Sequence, residues 1–195
     1  MVVQTFENGL RLHHITPADV RDMTPRFAEA YCRIFATEPY NESFSIEEAE
    51  RVFTSHTRAS GNITLVITDD ERVIAFGIAI PLAADGQVSK ILSGLLPMKH
   101  TMYLVELGVS PEYRGMGLGR RLVKERVKRI DSDAYSHVVL RVAENRRETV
   151  AMYENLDFSD MGVSMNVSRR RTDGEVRSDR RHFMARVLSQ VRVDD

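Results

Sequence analysis

The most informative stretch of the sequence is Val109-Ser-Pro-Glu-Tyr-Arg-Gly-Met-Gly-Leu-Gly-Arg-Arg-Leu122, where a strand-like apolar pattern leads into a glycine-rich turn and then an amphipathic helix. The three glycines, at 115, 117 and 119, leave the backbone accessible where the helix begins. The first N–H groups of a helix have no partner within it and carry partial positive charge, so they bind phosphate oxygens well. We therefore expect residues 114–120, which we call the phosphate cradle, to bind a pyrophosphate.

The charge distribution supports an anion site in this region. Residues 112–131 contain seven basic and three acidic side chains, although the whole chain has a formal charge of −1. The spacing excludes two common phosphate motifs: a P-loop needs Gly-Lys-Ser or Gly-Lys-Thr, and a dinucleotide fingerprint needs a glycine where this chain has Arg120. A tight turn without a ligand is the alternative, but three glycines within five positions argue against it.

Length and composition limit the class of protein. A chain of 195 residues that is 43% hydrophobic and 28% charged is typical of one globular domain, here residues 1–195. The longest nearly uninterrupted apolar stretch, residues 73–84, contains a glycine and a proline and is shorter than the roughly 20 residues of a membrane span. The N-terminus lacks the pattern of a secretion signal, so we expect a cytoplasmic protein with no membrane partner.

Metal and disulfide chemistry are not expected. Cys32 is the single cysteine, and the six histidines form no zinc-binding motif. The adjacent His13 and His14 would point to opposite faces of a strand. We expect Cys32 to be a buried structural thiol, with a reactive thiol as the alternative.

Hydrophobic periodicity predicts an α/β fold of about seven strands and about four helices. A capping box, Ser45-Ile-Glu-Glu48, begins the second helix. Residues 81–101 form a long, functional connection, and residues 169–181 an arginine-rich turn. A β-α-β unit over residues 103–142 predicts two parallel strands that are neighbours or near neighbours. The predicted strands are residues 10–15, 63–68, 73–80, 103–109, 137–142, 163–167 and 182–188. One predicted helix follows residues 16–19, and three more cover residues 45–55, 117–130 and 147–155.

The sequence resembles the GCN5-related N-acetyltransferase (GNAT) family. Arg114-Gly-Met-Gly-Leu-Gly119 matches the acetyl-CoA signature of that family, and Val109-x-Pro111 precedes it in the usual place. The strand that ends in Asn145 and the segment Ala151-Met-Tyr-Glu-Asn-Leu-Asp-Phe158 look like the next family element. Two features depart from the pattern: Tyr153 follows Ala151 closely, and Asp157 replaces a glycine. The resemblance covers about the whole chain, is sharp from 103 to 158, and implies a central mixed β-sheet flanked by helices.

The resemblance also implies a cosubstrate, acetyl-CoA, without a metal. Its pyrophosphate would be held by the backbone amides of the cradle, and its pantetheine arm would form main-chain bonds with the preceding strand. Asn145 would bind the arm from the next strand. The implied cofactor-binding residues are Leu107, Gly108, Val109, Arg114, Gly115, Met116, Gly117, Leu118, Gly119, Arg120 and Asn145.

Two residues would perform the chemistry. Tyr153 matches the tyrosine that donates a proton to the leaving CoA thiolate in many family members, and a phenol can hydrogen-bond to the developing sulfur anion. The alternative is that Tyr153 is only an aromatic residue of the helix core. Glu106 is the candidate base, because a lysine-like amine is largely protonated at pH 7. In a regular strand Glu106 points away from both Val105 and Leu107; a carboxylate that is solvated or paired with a cation is its alternative.

The acceptor is a primary amine of a small molecule in our first interpretation, attacked directly in a ternary complex. A lysine or N-terminus of a protein is the second, and a non-catalytic acyl-CoA sensor of the same fold the third. Glu38, Glu42 and Asp85 could attract a cationic amine, although such loop acids are commonly only solvated. The arginine-rich turn lacks interleaved aromatic residues, so a solvated hairpin is favoured over a nucleic-acid site. A homodimer is possible.

Overall fold

Eight strands form one mixed sheet in the computed structural model, which describes residues 2–188. The strand order is β1-β2-β3-β4-β5-β6-β8-β7, and β5 and β6 are parallel while the other neighbours are antiparallel. The strands are β1 (Val2–Thr5), β2 (Arg11–His14), β3 (Ile63–Asp69), β4 (Arg72–Pro81), β5 (Thr101–Val109), β6 (His137–Ala143), β7 (Ser159–Arg170) and β8 (Val176–Val187). The helices are α1 (Val20–Phe35), α2 (Ile46–Thr57), α3 (Gly86–Ile91), α4 (Leu118–Lys128) and α5 (Arg147–Glu154).

The α/β fold and the parallel β5–β6 pair confirm the predictions, with one strand and one helix more than expected. The extra strand is β1, a short edge strand. The extra helix is α3, which lies in the long connection and begins where the Asp85 carboxylate accepts bonds from the N–H groups of Gln87 and Val88, at 3.0 and 2.8 Å. The predicted capping box of α2 is present in both directions, between Ser45 and Glu48.

Two hydrophobic clusters cover the two faces of the sheet. On one face the apolar sides of α1 and α2 pack around Phe27, whose ring lies 4.4 Å from that of Phe53 and 4.6 Å from that of Phe76. On the other face Leu118, Leu122 and other side chains of α4 pack against the sheet. Closely packed aromatic rings each bury a large apolar area, and truncating one to alanine costs about 3–5 kcal/mol.

A β-bulge interrupts β5 in its middle. Ile80 pairs with Tyr103 and Ile78 pairs with Glu106, so β5 advances three residues where β4 advances two. An extra residue changes which face the following side chains meet. Val105 packs against the α1–α2 cluster, whereas Leu107 packs against the α4 cluster. The expectation that these two side chains share a face is therefore wrong.

A buried arginine fills the space beneath the bulge. Arg126 of α4 is fully buried, and its Nη1 donates to the backbone oxygens of Ile78, at 2.8 Å, and Glu106, at 2.9 Å. A Cβ atom at Gly77 would lie 2.8 Å from Nε of Arg126, so only glycine leaves room for the guanidinium. Arg126 thus satisfies carbonyl groups beside the bulge that would otherwise be buried without a donor.

The strands β5 and β6 separate beyond the bulge. They pair from Thr101 to Leu104 against His137 to Leu140, and no further. After that point β5 stays with β4, whereas β6 stays with β8. The second half of β5 therefore has one edge that is not paired with a strand. This separation of β5 and β6, which we call the splay, opens the sheet beside Glu106 and Leu107.

The closing hairpin is longer than predicted, because β7 and β8 include most of the arginine-rich segment. Two of these arginines are also not solvated. Arg171 is 6% exposed and donates to the backbone oxygen of Tyr40 and to the carboxylate of Asp179, at 2.6 Å each. Arg181 donates to the carboxylate of Glu42 at 2.8 Å. Residues 172–178 are exposed, as expected of a solvated turn, but Arg171 and Arg181 depart from that expectation, since these side chains attach the hairpin to the α1–α2 connection.

Candidate active site

The phosphate cradle has the backbone geometry that the glycines predicted. Gly115 and Gly117 adopt positive φ angles of 78° and 76°, and a Cβ atom at either position would meet nothing within 4 Å. Within residues 2–188, the N–H groups of 115–120 have no hydrogen-bond partner, and the first bond of α4 runs from Arg121 N to Gly117 O at 3.0 Å. Six consecutive N–H donors at a helix N-terminus can bind an anion.

Arg114 supports the cradle from outside. Its backbone N–H bonds to Pro111 O at 3.2 Å, so this amide is not available to a phosphate. Its guanidinium turns away and donates to Val109 O at 3.1 Å, to Thr37 Oγ1 at 3.3 Å and to Glu38 O. The side chain thereby ties the start of the cradle to the end of α1.

A groove of about 350 Å³ runs from the cradle along β5. We call it the cradle groove. Leu107 and Val109 line one side, and Thr149 and Met152 of α5 line the other. A Cβ atom at Gly119 would be 3.7 Å from Val109 and 3.9 Å from Met152, so the groove floor tolerates a methyl group there.

A smaller cavity of about 100 Å³ lies where β5 and β6 separate, and we call it the splay cavity. Glu106 and Tyr153, the two predicted catalytic residues, both line it. Tyr40, Leu107 and Thr149 line this cavity and the cradle groove alike, so the two spaces adjoin. A ligand held in the groove can therefore place one end between the candidate base and the candidate acid.

Glu106 faces the α1–α2 side of the splay. Its side chain is 16% exposed, and burial raises the pKa of its carboxyl to about 7 against the opposing charges of Arg141 and Arg181. Its Oε1 lies 3.9 Å from Nε2 of His56, whose own pKa is lowered by burial. The carboxyl group is thus close to half ionised near neutral pH, which suits a proton acceptor.

Tyr153 lies on α5 and is 5% exposed. Burial raises the pKa of its hydroxyl to about 12, although the charge of Arg126 opposes the shift. Its ring packs 5.8 Å from that of Phe158, so it is a core aromatic as well as a cavity residue. The intervening Asp157 adopts a φ angle of 65°, which gives the turn the conformation usual for glycine.

Asn145 is exposed in the turn after β6 and lines neither the cradle groove nor the splay cavity. Sequence analysis missed three residues that line the cradle groove, namely Tyr40, Thr149 and Met152. Thr149 and Met152 share a face of α5 with Tyr153, and their i, i+3, i+4 spacing could have identified them. Tyr40 lies below the guanidinium groups of Arg114, at 5.9 Å, and Arg146, at 5.1 Å; nothing in its local sequence signals this position.

A wide, open groove of about 1120 Å³ continues from the cradle on its other side. Its walls are the N-terminal part of α4 and residues 4–8. Arg121 joins the two walls, since its Nη2 donates to Gln4 at 2.6 Å and its guanidinium lies 4.7 Å from the Phe6 ring centroid. Arg120 and Lys124 also line this groove and are exposed; with Arg121, and with Glu7 and Glu125 on its walls, its net formal charge is +1.

Two of the three acids considered for an amine already bind other groups of the protein. Glu42 is 4% exposed and lies 2.8 Å from Arg181 and 3.8 Å from Arg171, so its charge is neutralised. Asp85 caps α3, and Glu38 is exposed at the surface.

Cys32 is half-buried, and burial raises the pKa of its thiol, which disfavours the reactive thiolate. No group of three or more His, Cys, Asp or Glu side chains in the described part of the chain is arranged to hold a metal ion. Among the helices of residues 2–188, none is long and apolar enough to cross a membrane.

Comparison with known proteins gives the class of this site. A sequence model of the acetyltransferase (GNAT) family matches residues 25–158, more than half of the chain. The chain belongs to this family. It is an acetyl-CoA-dependent N-acetyltransferase, with an acceptor whose class the comparison leaves open. A search of curated proteins finds no match.

Solved structures share the fold at low sequence identity. A ribosomal-protein-alanine N-acetyltransferase from Brucella melitensis has a TM-score of 0.64 at 16% identity, covering 91% of this chain and 99% of that one. A protein from Salmonella typhimurium, named as an acetyltransferase and solved with its cofactor acetyl-CoA, has a TM-score of 0.64 at 15% identity over 95% and 98%. Arabidopsis thaliana NAA60, solved with a bisubstrate analogue, scores 0.60 at 16% over 92% and 99%.

Proposed function

We propose that this enzyme transfers the acetyl group of acetyl-CoA to a primary amine of a small molecule, by direct attack in a ternary complex. One observation carries the proposal: Glu106 and Tyr153 line the same splay cavity, and that cavity adjoins the cradle groove. A base and an acid thus lie at the end of a channel that begins at an anion site.

The residues present fit acetyl-CoA. The free N–H groups of residues 115–120 would bind the pyrophosphate of acetyl-CoA. Arg120 and Lys124 in the wide groove would attract its third phosphate group. The strand-free edge of β5 beyond the bulge offers the main-chain groups of alternate residues to the pantetheine arm. Val109 offers only its N–H group, because the Arg114 side chain already donates a hydrogen bond to its carbonyl oxygen.

Acetyl-CoA supplies an activated thioester, whose carbonyl carbon bonds to the amine nitrogen as the carbon–sulfur bond breaks. Glu106 would take the proton that the amine must lose. A lysine-like ammonium has a pKa of about 10.4, so moving its proton to a carboxylate is uphill. The rise in the pKa of Glu106 from 4.5 to about 7 lowers the free-energy cost of this proton transfer by about 3 kcal/mol. The small cavity excludes bulk water and holds the reacting groups together.

Tyr153 would donate a hydrogen bond to the sulfur. Because its pKa is about 12, the phenol stays protonated throughout the working pH range. A CoA-like thiol has a pKa of about 8.5, so complete proton transfer from the phenol would be uphill. Tyr153 therefore stabilises the departing sulfur mainly as a hydrogen-bond donor, and solvent can complete the protonation.

Calorimetric titration of acetyl-CoA, CoA and NADPH tests the binding half of this proposal, and thiol release with a panel of amines and peptides tests the transfer. We expect acetyl-CoA and CoA to bind, NADPH not to bind, and small amines to be better acceptors than peptides. Peptides that react faster than every small amine would contradict the acceptor class.

The Tyr153→Phe variant tests the donor. Turnover should fall by about 10-fold to 100-fold while the Kd for acetyl-CoA stays within about threefold of the native value. Tyr135→Phe is the matched control, since Tyr135 lines neither the cradle groove nor the splay cavity. Unchanged turnover in Tyr153→Phe would remove this residue from the mechanism.

A further inference from the structure

Arg141 is a charged residue of the splay cavity that the proposed mechanism does not use. It lies on β6, two residues beyond the last β5–β6 pair of that face, and lines the cavity together with Glu106. Its guanidinium makes one weak contact, from Nη1 to the sulfur of Met165 at 3.4 Å. No carboxylate among residues 2–188 lies within 4.0 Å of it.

The other arginines that line the cavity have partners, and so do two of its carboxylates. Glu42 lies 2.8 Å from Arg181, and Asp179 lies 2.6 Å from Arg171. The guanidinium of Arg146 donates to a backbone oxygen and lies over the ring of Tyr40. Arg141 is therefore the cavity cation that lacks a partner.

Glu106 and Arg141 line the same cavity. When Glu106 is ionised, the form that can accept a proton, the cavity presents a negative charge from Glu106 and a positive charge from Arg141. A molecule with both an amine and an anionic group would be matched to this pair of charges.

We propose that the acceptor carries a carboxylate as well as its amine, as in an α-amino acid, and that Arg141 binds the carboxylate while Glu106 faces the amine. The inference rests on the proposed function, because it assumes transfer in the splay cavity. A guanidinium binds a carboxylate with two parallel hydrogen bonds, which also fixes the orientation of the amine.

Matched acceptors test the inference with the native enzyme. Each common amino acid is compared with its primary amide and with the amine that remains after decarboxylation, by thiol release. For the preferred side chain, kcat/KM should be at least about 30-fold higher for the acid than for either analogue. The Arg141→Gln variant should lose this preference through a higher KM for the acid, and Arg141→Lys should restore part of it. The exposed Arg58→Gln is the control and should keep it.

Acetyl-CoA titration on the same samples separates the two proposals. If acetyl-CoA binds but amides, simple amines or peptide N-termini react as well as the acids, the carboxylate subsite is wrong and the acetyl transfer stands. If acetyl-CoA binds and no amino acid reacts, the subsite is equally wrong. If acetyl-CoA does not bind, both proposals fail. Should Arg141→Gln not fold, the preference of the native enzyme decides alone.

Discussion

Replacement of Glu106 by glutamine is expected to make the protein more stable at alkaline pH. Burial raises the pKa of this carboxyl group from 4.5 to about 7, so the folded state holds a proton that the unfolded state releases. Stability is therefore lost as the pH rises from about 4.5 to 7, and the loss is complete above 7. At 1.36 kcal/mol per pKa unit, the ionised carboxylate costs about 3 kcal/mol at pH 8 and about 1 kcal/mol at pH 5.

Urea denaturation of the native protein and Glu106→Gln at pH 5 and pH 8 measures this difference. The variant should gain about 3 kcal/mol in the free energy of unfolding at pH 8 and about 1 kcal/mol at pH 5. Glu29→Gln, at an exposed position of α1, should change the stability by less than about 0.5 kcal/mol at both pH values. A Glu106→Gln protein that is no more stable than native at pH 8 would refute the argument that this carboxylate is held at a cost for catalysis.

Two further predictions concern glycines. Gly108→Ala should lower the free energy of unfolding by about 1–3 kcal/mol in urea denaturation, because its Cβ would lie 2.5 Å from the Phe76 ring, while Gly119→Ala should stay within about 1 kcal/mol. Equal stabilities for the pair would show that Phe76 can move aside. Gly117→Glu should abolish acetyl-CoA binding in calorimetry by placing a carboxylate in the cradle, whereas Gly174→Glu, at a positive φ of 88° in the hairpin turn, should preserve it. Retained binding by a folded Gly117→Glu protein would show that the pyrophosphate does not bind there.

The cradle could be predicted from sequence because its determinants are local. Gly115 and Gly117 need positive φ angles, and Leu118 and Leu122 mark the buried face of the helix that follows. The capping box of Ser45 and Glu48 is also local, and it formed as expected. Such features depend on residues a few positions apart, so one sequence is enough to specify them.

The splay and the bulge could not be predicted, because they depend on pairing between distant strands. Alternation placed Val105 and Leu107 on one face, and the extra residue of β5 separates them. The bulge is accommodated by Arg126, which is 48 residues away in sequence from the carbonyl oxygen of Ile78. A strongly charged residue in an amphipathic helix gives no sign that it will be buried beneath a sheet.

Two arginines of the arginine-rich segment were misinterpreted for a related reason. Arg171 and Arg181 appear in the sequence as part of a charged, solvated run. Their partner, Glu42, is 129 residues before Arg171 and 139 before Arg181, and only the fold brings the three side chains together. Charge runs near a chain terminus are therefore weak indicators of exposure until their partners are known.

The pH dependence of kcat/KM for acetyl transfer tests the central claim, that Glu106 is the base, most directly. The native enzyme should show an acidic limb with an apparent pKa near 7, because the carboxyl group must be ionised to accept the proton. Glu106→Gln should lose that limb and at least about 100-fold in kcat/KM at pH 8, while still binding acetyl-CoA. A variant that keeps the limb near pH 7 and a native rate would contradict the account.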